Sequence, residues 1–454
     1  MRQPTTRLQV SGHRFLMRRM AHALVRGDAR MLDDPLRAQS LSLTTGAVLA
    51  VAGVAACAVI AVLGPATDIG DAPVVVVRET GALYVQVDDT LHPVFNLASA
   101  RLITGRSDAP RVVSQTAVDA HARGAVMGIP GAPHHLSPAS TPDSVMVCDE
   151  DGRTTVIVAA SEPAVAVPQQ PILVTPRGAN PALTYLLYGA AKARVDLRHP
   201  AVVRALRLDG VTPRPISEAV LAALPEAPRV VAPQIPDRGA PGPGPLRDHP
   251  VGTVIDVAGS DAQFVVLRGG LQRVSPVTAD LIRYTDGRVD ATESTVAPDV
   301  LGTLPVVETL PVTTYPDRAG MTSARVVCAR WQPGPDESGV HSAVVIADAT
   351  PESGVALAQA DDAGPAVDAF AMSGGGALLV RSVALGGETD TGPLFLLADS
   401  GAVFGVENTD TAQRLGLTPP ESPIPWVFLA GLPRGPDLSV RAASVARDVL
   451  VAGP

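Results

Sequence analysis

Few residues in this chain could do chemistry, and their spacing decides against most of it. There is one lysine among 454 residues, Lys192, flanked by Ala191 and Ala193. A P-loop needs G-x-x-x-x-G-K-[ST], so that backbone amides and a lysine can cradle phosphates together, and no such pattern occurs. The run Gly374-Gly375-Gly376 leads into apolar Ala377 to Val380 with neither a lysine nor a helix signal, and reads as a turn. His134 and His135 are adjacent, which turns their side chains apart in an extended chain, and they sit among Gly131, Pro133 and Pro138. Neither H-E-x-x-H nor a cysteine spacing suited to zinc is present, so no metal site is expected. The G-x-S-x-G elbow is also missing, which leaves only a Ser-His-Asp set scattered along the chain as an open alternative. The acidic pairs Asp88-Asp89 and Asp361-Asp362 lie in turn-like sequence and read as solvated. No catalytic residue and no cofactor is assigned.

The cysteines carry a different message. Cys57 lies in an apolar stretch, where a thiol behaves as a small hydrophobe. Cys148 and Cys328 each close a β-patterned run, 144–147 and 324–327, and lie 180 residues apart. That offset recurs in a unit of strand, turn, strand and Ala/Leu-rich helix that occurs four times, at 83–103, 183–208, 264–284 and 394–417. The first and third copies align at an offset near 180, Leu91 with Leu271 and Val94 with Val274. The second and fourth align near 210, with Leu186-Leu187 recurring as Leu396-Leu397. Two cysteines at matching places in two related halves suggest a disulfide near a pseudo-twofold axis; two separate buried thiols are the alternative.

Composition sets the class. Hydrophobic residues make up 46%, enough for a sizeable core, and Gly 41 with Pro 43 stays below the level of a disordered chain. With 3% aromatic residues, a net charge of -9 and a pI near 5.5, nucleic-acid binding is excluded as a main role. The charge is uneven: residues 1–37 hold eight arginines against Asp28, Asp33 and Asp34, a net of +5. No charged residue follows until Asp68, and 47–63 is almost wholly apolar, long enough to cross a bilayer as a helix. By the positive-inside rule the N-terminus is cytoplasmic and residues from about 66 onward lie across the membrane. In the head, Ser11 is expected to cap a helix over 13–26 with Leu16, Met20 and Leu24 on one stripe, ended by Gly27. Asp34-Pro35 reads as the cap and first position of the next helix. The head helix either lies on anionic lipid or docks on a partner.

The expected fold is α+β: a single-pass membrane protein with an elongated outer domain, a central β core of two pseudo-symmetric halves, and four small α/β repeats flanking it. Its parts are a basic head (1–40), the spanning helix (41–65), repeat 1 (66–125), the first core half (126–175) and repeat 2 (176–235). A Pro-rich linker (236–250), repeat 3 (251–300), the second core half (301–385), repeat 4 (386–437) and a C-terminal tail (438–454) follow.

A family resemblance rests on the head. Leu8-Gln9-Val10-Ser11-Gly12-His13-Arg14-Phe15-Leu16, then Arg18-Arg19, Ala23-Leu24-Val25-Arg26-Gly27-Asp28-Ala29-Arg30-Met31 and Asp34-Pro35-Leu36-Arg37 resemble the N-terminus of EccB, a membrane component of the actinobacterial type VII (ESX) secretion system. The single anchor, the cysteine pair and the four repeats extend the resemblance over essentially the whole chain. It implies a structural role in the inner membrane beside EccC (an FtsK/SpoIIIE-type ATPase), EccD, EccE, the mycosin protease and other EccB copies. It also implies that the head, through Arg14, Phe15, Leu16, Arg18, Arg19, Arg26 and Arg30, contacts EccC and EccD. The repeats are similar to a wall-binding subunit of a phage lysin, which implies a peptidoglycan contact. EccB is sometimes called an ATPase, so an atypical ATP hydrolase and an independent wall-binding protein stand beside the scaffold as alternatives.

Overall fold

The computed structural model describes residues 6–27, 35–62, 69–178, 183–285, 294–334, 340–386, 392–417 and 420–447. They fall into two compact units, Met1–Asp68 and Ile69–Pro454.

The first unit is two helices. One spans Arg7–Arg26 and ends on Gly27, whose left-handed backbone (φ 67°) lets its N–H reach the Ala23 carbonyl. It starts a turn and a half earlier than the sequence suggests, because the Gln9 side chain accepts the Thr6 N–H and closes the N-terminus there. Ser11 therefore lies inside the helix, its hydroxyl donating to the Leu8 carbonyl. The other helix spans Pro35–Val62, and its segment Leu41–Val59 has a mean hydropathy of 1.9, which makes it long and apolar enough to cross a bilayer. Thr44 and Thr45 donate their hydroxyls to the Leu41 carbonyl, so neither brings an unmet polar group into that segment. Asp34 and Arg30 lie outside the described residues.

The outer unit is mixed α and β, with a central six-stranded sheet and four others of seven, five, four and four strands. The six strands run in the order Val340–Ala347, Val326–Pro333, Ser144–Glu150, Arg153–Ala159, Ala369–Met372, Val355–Ala356. Both faces of the central strands are buried, which accounts for their unbroken β-branched sequence. Val145, Val147 and Trp331 pack on one face; Met146, Cys148, Ile157 and Cys328 pack on the other.

Each of the other four sheets is built on one plan: three antiparallel strands, a helix, then a strand returning parallel to the first. In the first, Val74–Val77, Leu83–Val87 and Thr90–Val94 lead to the helix Leu97–Thr104 and the strand Arg111–Val113. The second has Ile172–Pro176, Tyr185–Tyr188, Ala191–Arg194, the helix Pro200–Leu206 and Arg214–Ile216. The third has Val254–Val257, Gln263–Leu267, Gly270–Val274, the helix Pro276–Thr285 and Ser294–Val296. The fourth has Ala377–Val383, Leu394–Ala398, Val403–Val406, the helix Thr409–Arg414 and Ser422–Pro425. Ile172–Pro176 and Ala377–Val383, read from sequence as core, thus belong to the sheets of the second and fourth units.

The units join in pairs. The helices of the second and third pack on each other within one hydrophobic cluster that includes Val202, Leu206, Leu281 and Ile282. The first and fourth share a cluster with Ala98, Leu102, Leu396 and Leu415, and Arg101 donates to the Leu415 carbonyl at 2.6 Å. Two expectations of loose chain do not hold. In the Pro-rich stretch, Leu246 is buried and Gly239 and Ala240 exchange backbone hydrogen bonds with Val251; glycines with left-handed φ at 239 and 244 turn the chain back on itself. Nor is 438–447 a tail. Leu438 bridges to Val406, and Ala446–Arg447 pairs with Val126–Met127, adding a strand to the sheet of the first unit.

Candidate functional site

Two regions hold the residues singled out by sequence, and each is built differently. In the head helix, Leu16, Met20 and Leu24 recur every fourth residue and all three are exposed, as are Phe15 and Met17. Arg14, Arg18 and Arg19 are exposed on the same helix, which makes it amphipathic and basic, while Arg26 occupies its last turn. An apolar stripe left open beside arginines can bind an apolar groove with an acidic rim or a membrane surface.

The second region is the centre of the six-stranded sheet. Cys148 and Cys328 are directly opposed in antiparallel strands and form a disulfide, with Cα atoms 4.0 Å apart. Both are buried, against Met146, Ile157 and Ala371. The four strands nearest the disulfide are two hairpins joined across it, 144–159 and 326–347.

Asp149, next in the chain, is wholly buried and pairs with Arg177 and with Arg214 (3.1 Å to the latter). Its carboxylate also accepts the Ser217 N–H at 3.0 Å. Arg177 and Arg214 come from the second unit; Arg177 donates on to the carbonyls of Asp362 and Gly364, and Arg214 to those of Ala324 and Arg325. One carboxylate therefore ties the central sheet, the second unit and two loops of the later chain. Five guanidinium donors in a planar fork suit arginine to such a bridge. A second buried carboxylate, Asp368, accepts the N–H groups of Thr154, Asp361 and Asp362, which holds the 361–368 turn against the sheet. Sequence reasoning missed Asp149 and Asp368. The available signal was an acidic residue beside a cysteine in a strand of Val and Met.

The other residues with chemical potential serve the fold. Lys192 donates its ammonium to the Leu221 carbonyl at 2.5 Å, and burial pulls its pKa down, partly offset by Glu226. Gly374, Gly375 and Gly376 all have left-handed φ and form the expected turn. His135 lies in a loop with its Nε2 3.2 Å from the Ser137 hydroxyl. Asp88 sits in left-handed conformation at the first hairpin turn, and Asp361 and Asp362 are exposed. Among the described residues no cluster of three His, Cys, Asp or Glu side chains is arranged to hold a metal ion.

Comparison with known proteins covers the whole chain. Residues 2–452 match the family described as "Type VII secretion system ESX-1, transport TM domain B". The protein named ESX-3 secretion system ATPase EccB3 of Mycolicibacterium smegmatis is 35% identical, over 99% of this chain and 92% of its own. ESX-5 secretion system ATPase EccB5 of Mycobacterium tuberculosis is 33% identical, over 98% of this chain and 94% of its own. Among solved structures, a chain of an intact ESX-5 inner membrane complex superposes with a TM-score of 0.73 at 30% identity, covering 100% of this chain and 98% of that one. A chain of the EccB3 dimer from the ESX-3 core complex gives 0.71 at 32% identity, covering 82% of this chain and 100% of that one.

Proposed function

The chain belongs to the EccB family of type VII secretion proteins, and on that premise we propose that it is a structural component of the ESX secretion machinery in the inner membrane. The observation that carries this is the likeness, from head to last strand, to one chain of an intact ESX-5 inner membrane complex. The build of the outer unit fits the role: its buried disulfide, its ionic junctions and its strand closure all serve rigidity.

The proposed topology is a cytoplasmic N-terminus, one span and a periplasmic body, supported by eight arginines before the apolar segment and Asp68 and Asp71 after it. The body scaffolds the periplasmic face of the assembly, with two halves arranged about the Cys148–Cys328 bond and four flanking units. The partners on this reading are EccC, EccD, EccE, the mycosin protease and further copies of this chain, with peptidoglycan in reach of the outer units. The proposed partner-binding residues of the head are Arg14, Phe15, Leu16, Arg18, Arg19 and Arg26, with Arg30 beyond the described helix. The relatives' names carry the word ATPase. This sequence has no P-loop, and its one lysine is held to a backbone carbonyl, which supports assigning ATP turnover to a partner.

The test is a pull-down of tagged full-length protein from membranes in mild detergent, with native sizing and mass spectrometry. A megadalton-scale assembly with an FtsK/SpoIIIE-type ATPase and a many-spanning protein is the expected result. A lone protomer, or ATP turnover by the purified chain that a point change abolishes, would overturn the reading.

A further inference from the structure

The third and fourth units each carry a groove at the same place, between the open end of the hairpin and the chain that follows the return strand, and the two differ in charge. In the third unit the lining holds Asp261, Glu308 and Asp317 against Arg273 alone. In the fourth the groove measures about 820 Å³, and Glu407 and Asp437 stand against Arg441 and Arg447, so the formal charges cancel. Leu394, Val406 and Leu438 are its buried floor, while Val445 is 43% exposed.

The walls of the fourth unit's groove are fixed. The Leu438 N–H donates to the Gly405 carbonyl at 2.7 Å, the Ser439 hydroxyl accepts the Ala442 N–H, and Arg447 donates its Nε–H to the Gly128 carbonyl. Phe395, in the lining, packs on Trp426 with ring centroids 5.3 Å apart, and both rings are half-buried. The exposed Arg434 guanidinium lies over the Trp426 ring, 4.6 Å from its centroid. Glu407, Asp437 and Arg441 are exposed, and none forms an ion pair among the described residues. One face thus brings together an apolar floor, an aromatic pair, an arginine laid on it and opposite charges that leave each other unpaired.

We propose that two copies of this chain pair through this face of the fourth unit about a twofold axis, which rests on the reading above that further copies are partners. A twofold contact sets a patch against itself, so the patch must be complementary to itself. Carboxylates and arginines left unpaired in one copy meet that condition, because each sign finds the other across the axis. Elsewhere copies repel: residues beyond the span carry a net charge of −14 once the head's +5 is set against the total of −9. The same criterion excludes the third unit's groove, whose carboxylates would face carboxylates. Aromatic rings and arginine beside a well-packed apolar floor are also the residue types that carry most binding energy at interfaces.

The experiment is sedimentation velocity of the full-length protein in mild detergent over a dilution series, at about 0.15 M salt, where the Debye length is about 8 Å. Four proteins are compared: unaltered, Val445→Asp, Arg441→Glu, and Val306→Asp, which adds the same charge at a 64% exposed residue of the third unit's groove. The expected result is a reversible dimer, weakened about tenfold by each change in the fourth unit and less than about twofold by the control. Mixing Arg441→Glu copies with Glu407→Arg copies restores association, because the reversed faces then complement each other, which a loss of fold does not allow. Near-UV circular dichroism matching the unaltered protein shows that each variant is folded. Undiminished association in Val445→Asp, an equal loss in Val306→Asp, or no restoration in the mixture would overturn this face while leaving self-association standing. No self-association of the unaltered protein at any concentration would overturn the reading of copies as partners, and this proposal with it.

Discussion

Cys148 and Cys328 face each other across adjacent antiparallel strands, and the bond between them closes a loop of 180 residues that contains the second and third units entire. Chain entropy predicts that such a closure stabilises the fold by up to about 5 kcal/mol. Replacing both cysteines with serine should lower the urea midpoint of the outer unit while leaving its near-native spectrum intact in water. Mass spectrometry of unreduced peptides from the natural protein should show the 148–328 cross-link. Labelling of both thiols in protein from an oxidising compartment would remove this prediction's basis.

Asp149→Ala leaves two arginines, Arg177 and Arg214, buried or half-buried at one place without their carboxylate. Breaking such a pair by deleting one partner costs about 3–5 kcal/mol. The loss should shrink when Arg177→Met is added, because the second change removes one orphaned charge. Additive losses in denaturant unfolding would mean that the three side chains do not act as a unit.

Tyr188 donates its hydroxyl to the Thr314 carbonyl, and burial, with Tyr315 beside it, pushes its pKa up to about 12 from the ordinary 10. The folded state holds the neutral phenol and the unfolded chain releases its proton sooner. The contribution is therefore complete below pH 10 and lost as pH rises from 10 to 12. Melting temperature should fall across that window, and Tyr188→Phe should flatten the slope. An unchanged slope in the variant would place the alkaline sensitivity elsewhere.

Arg18→Glu with Arg19→Glu reverses two charges on an exposed helix face. Complex yield from solubilised membranes should fall severalfold, with outer-unit melting unaltered because both arginines lie in the other compact unit. Full yield would count against docking through that face.

Sequence alone located the long apolar helix, the four hairpin-and-helix units and the cysteine partners, because each rests on local composition, periodicity or an internal offset. Leu83–Val87 and Thr90–Val94 alternate with a turn at Asp88, as a hairpin must. What the chain does over long separations was not legible. Ala377–Val383 is apolar enough for either the core or the fourth unit, and only pairing with Leu394–Ala398 decides it. The Pro-rich stretch has a linker's composition, yet left-handed glycines fold it onto Leu246. Asp149 looked like an ordinary acidic residue at a strand end, since the arginines that meet it come 28 and 65 residues later.

The pairing of Ala446–Arg447 with Val126–Met127 has a consequence for how the protein is made. A sheet begun near residue 74 gains its outermost strand only when residue 447 has been delivered to the same side of the membrane. On the proposed topology, export runs ahead of completed folding, and the first unit waits with an open edge until almost the whole chain has crossed. A nascent chain halted after the fourth unit's helix would present that edge, and the uncovered side of Leu102, to whatever else occupies the compartment.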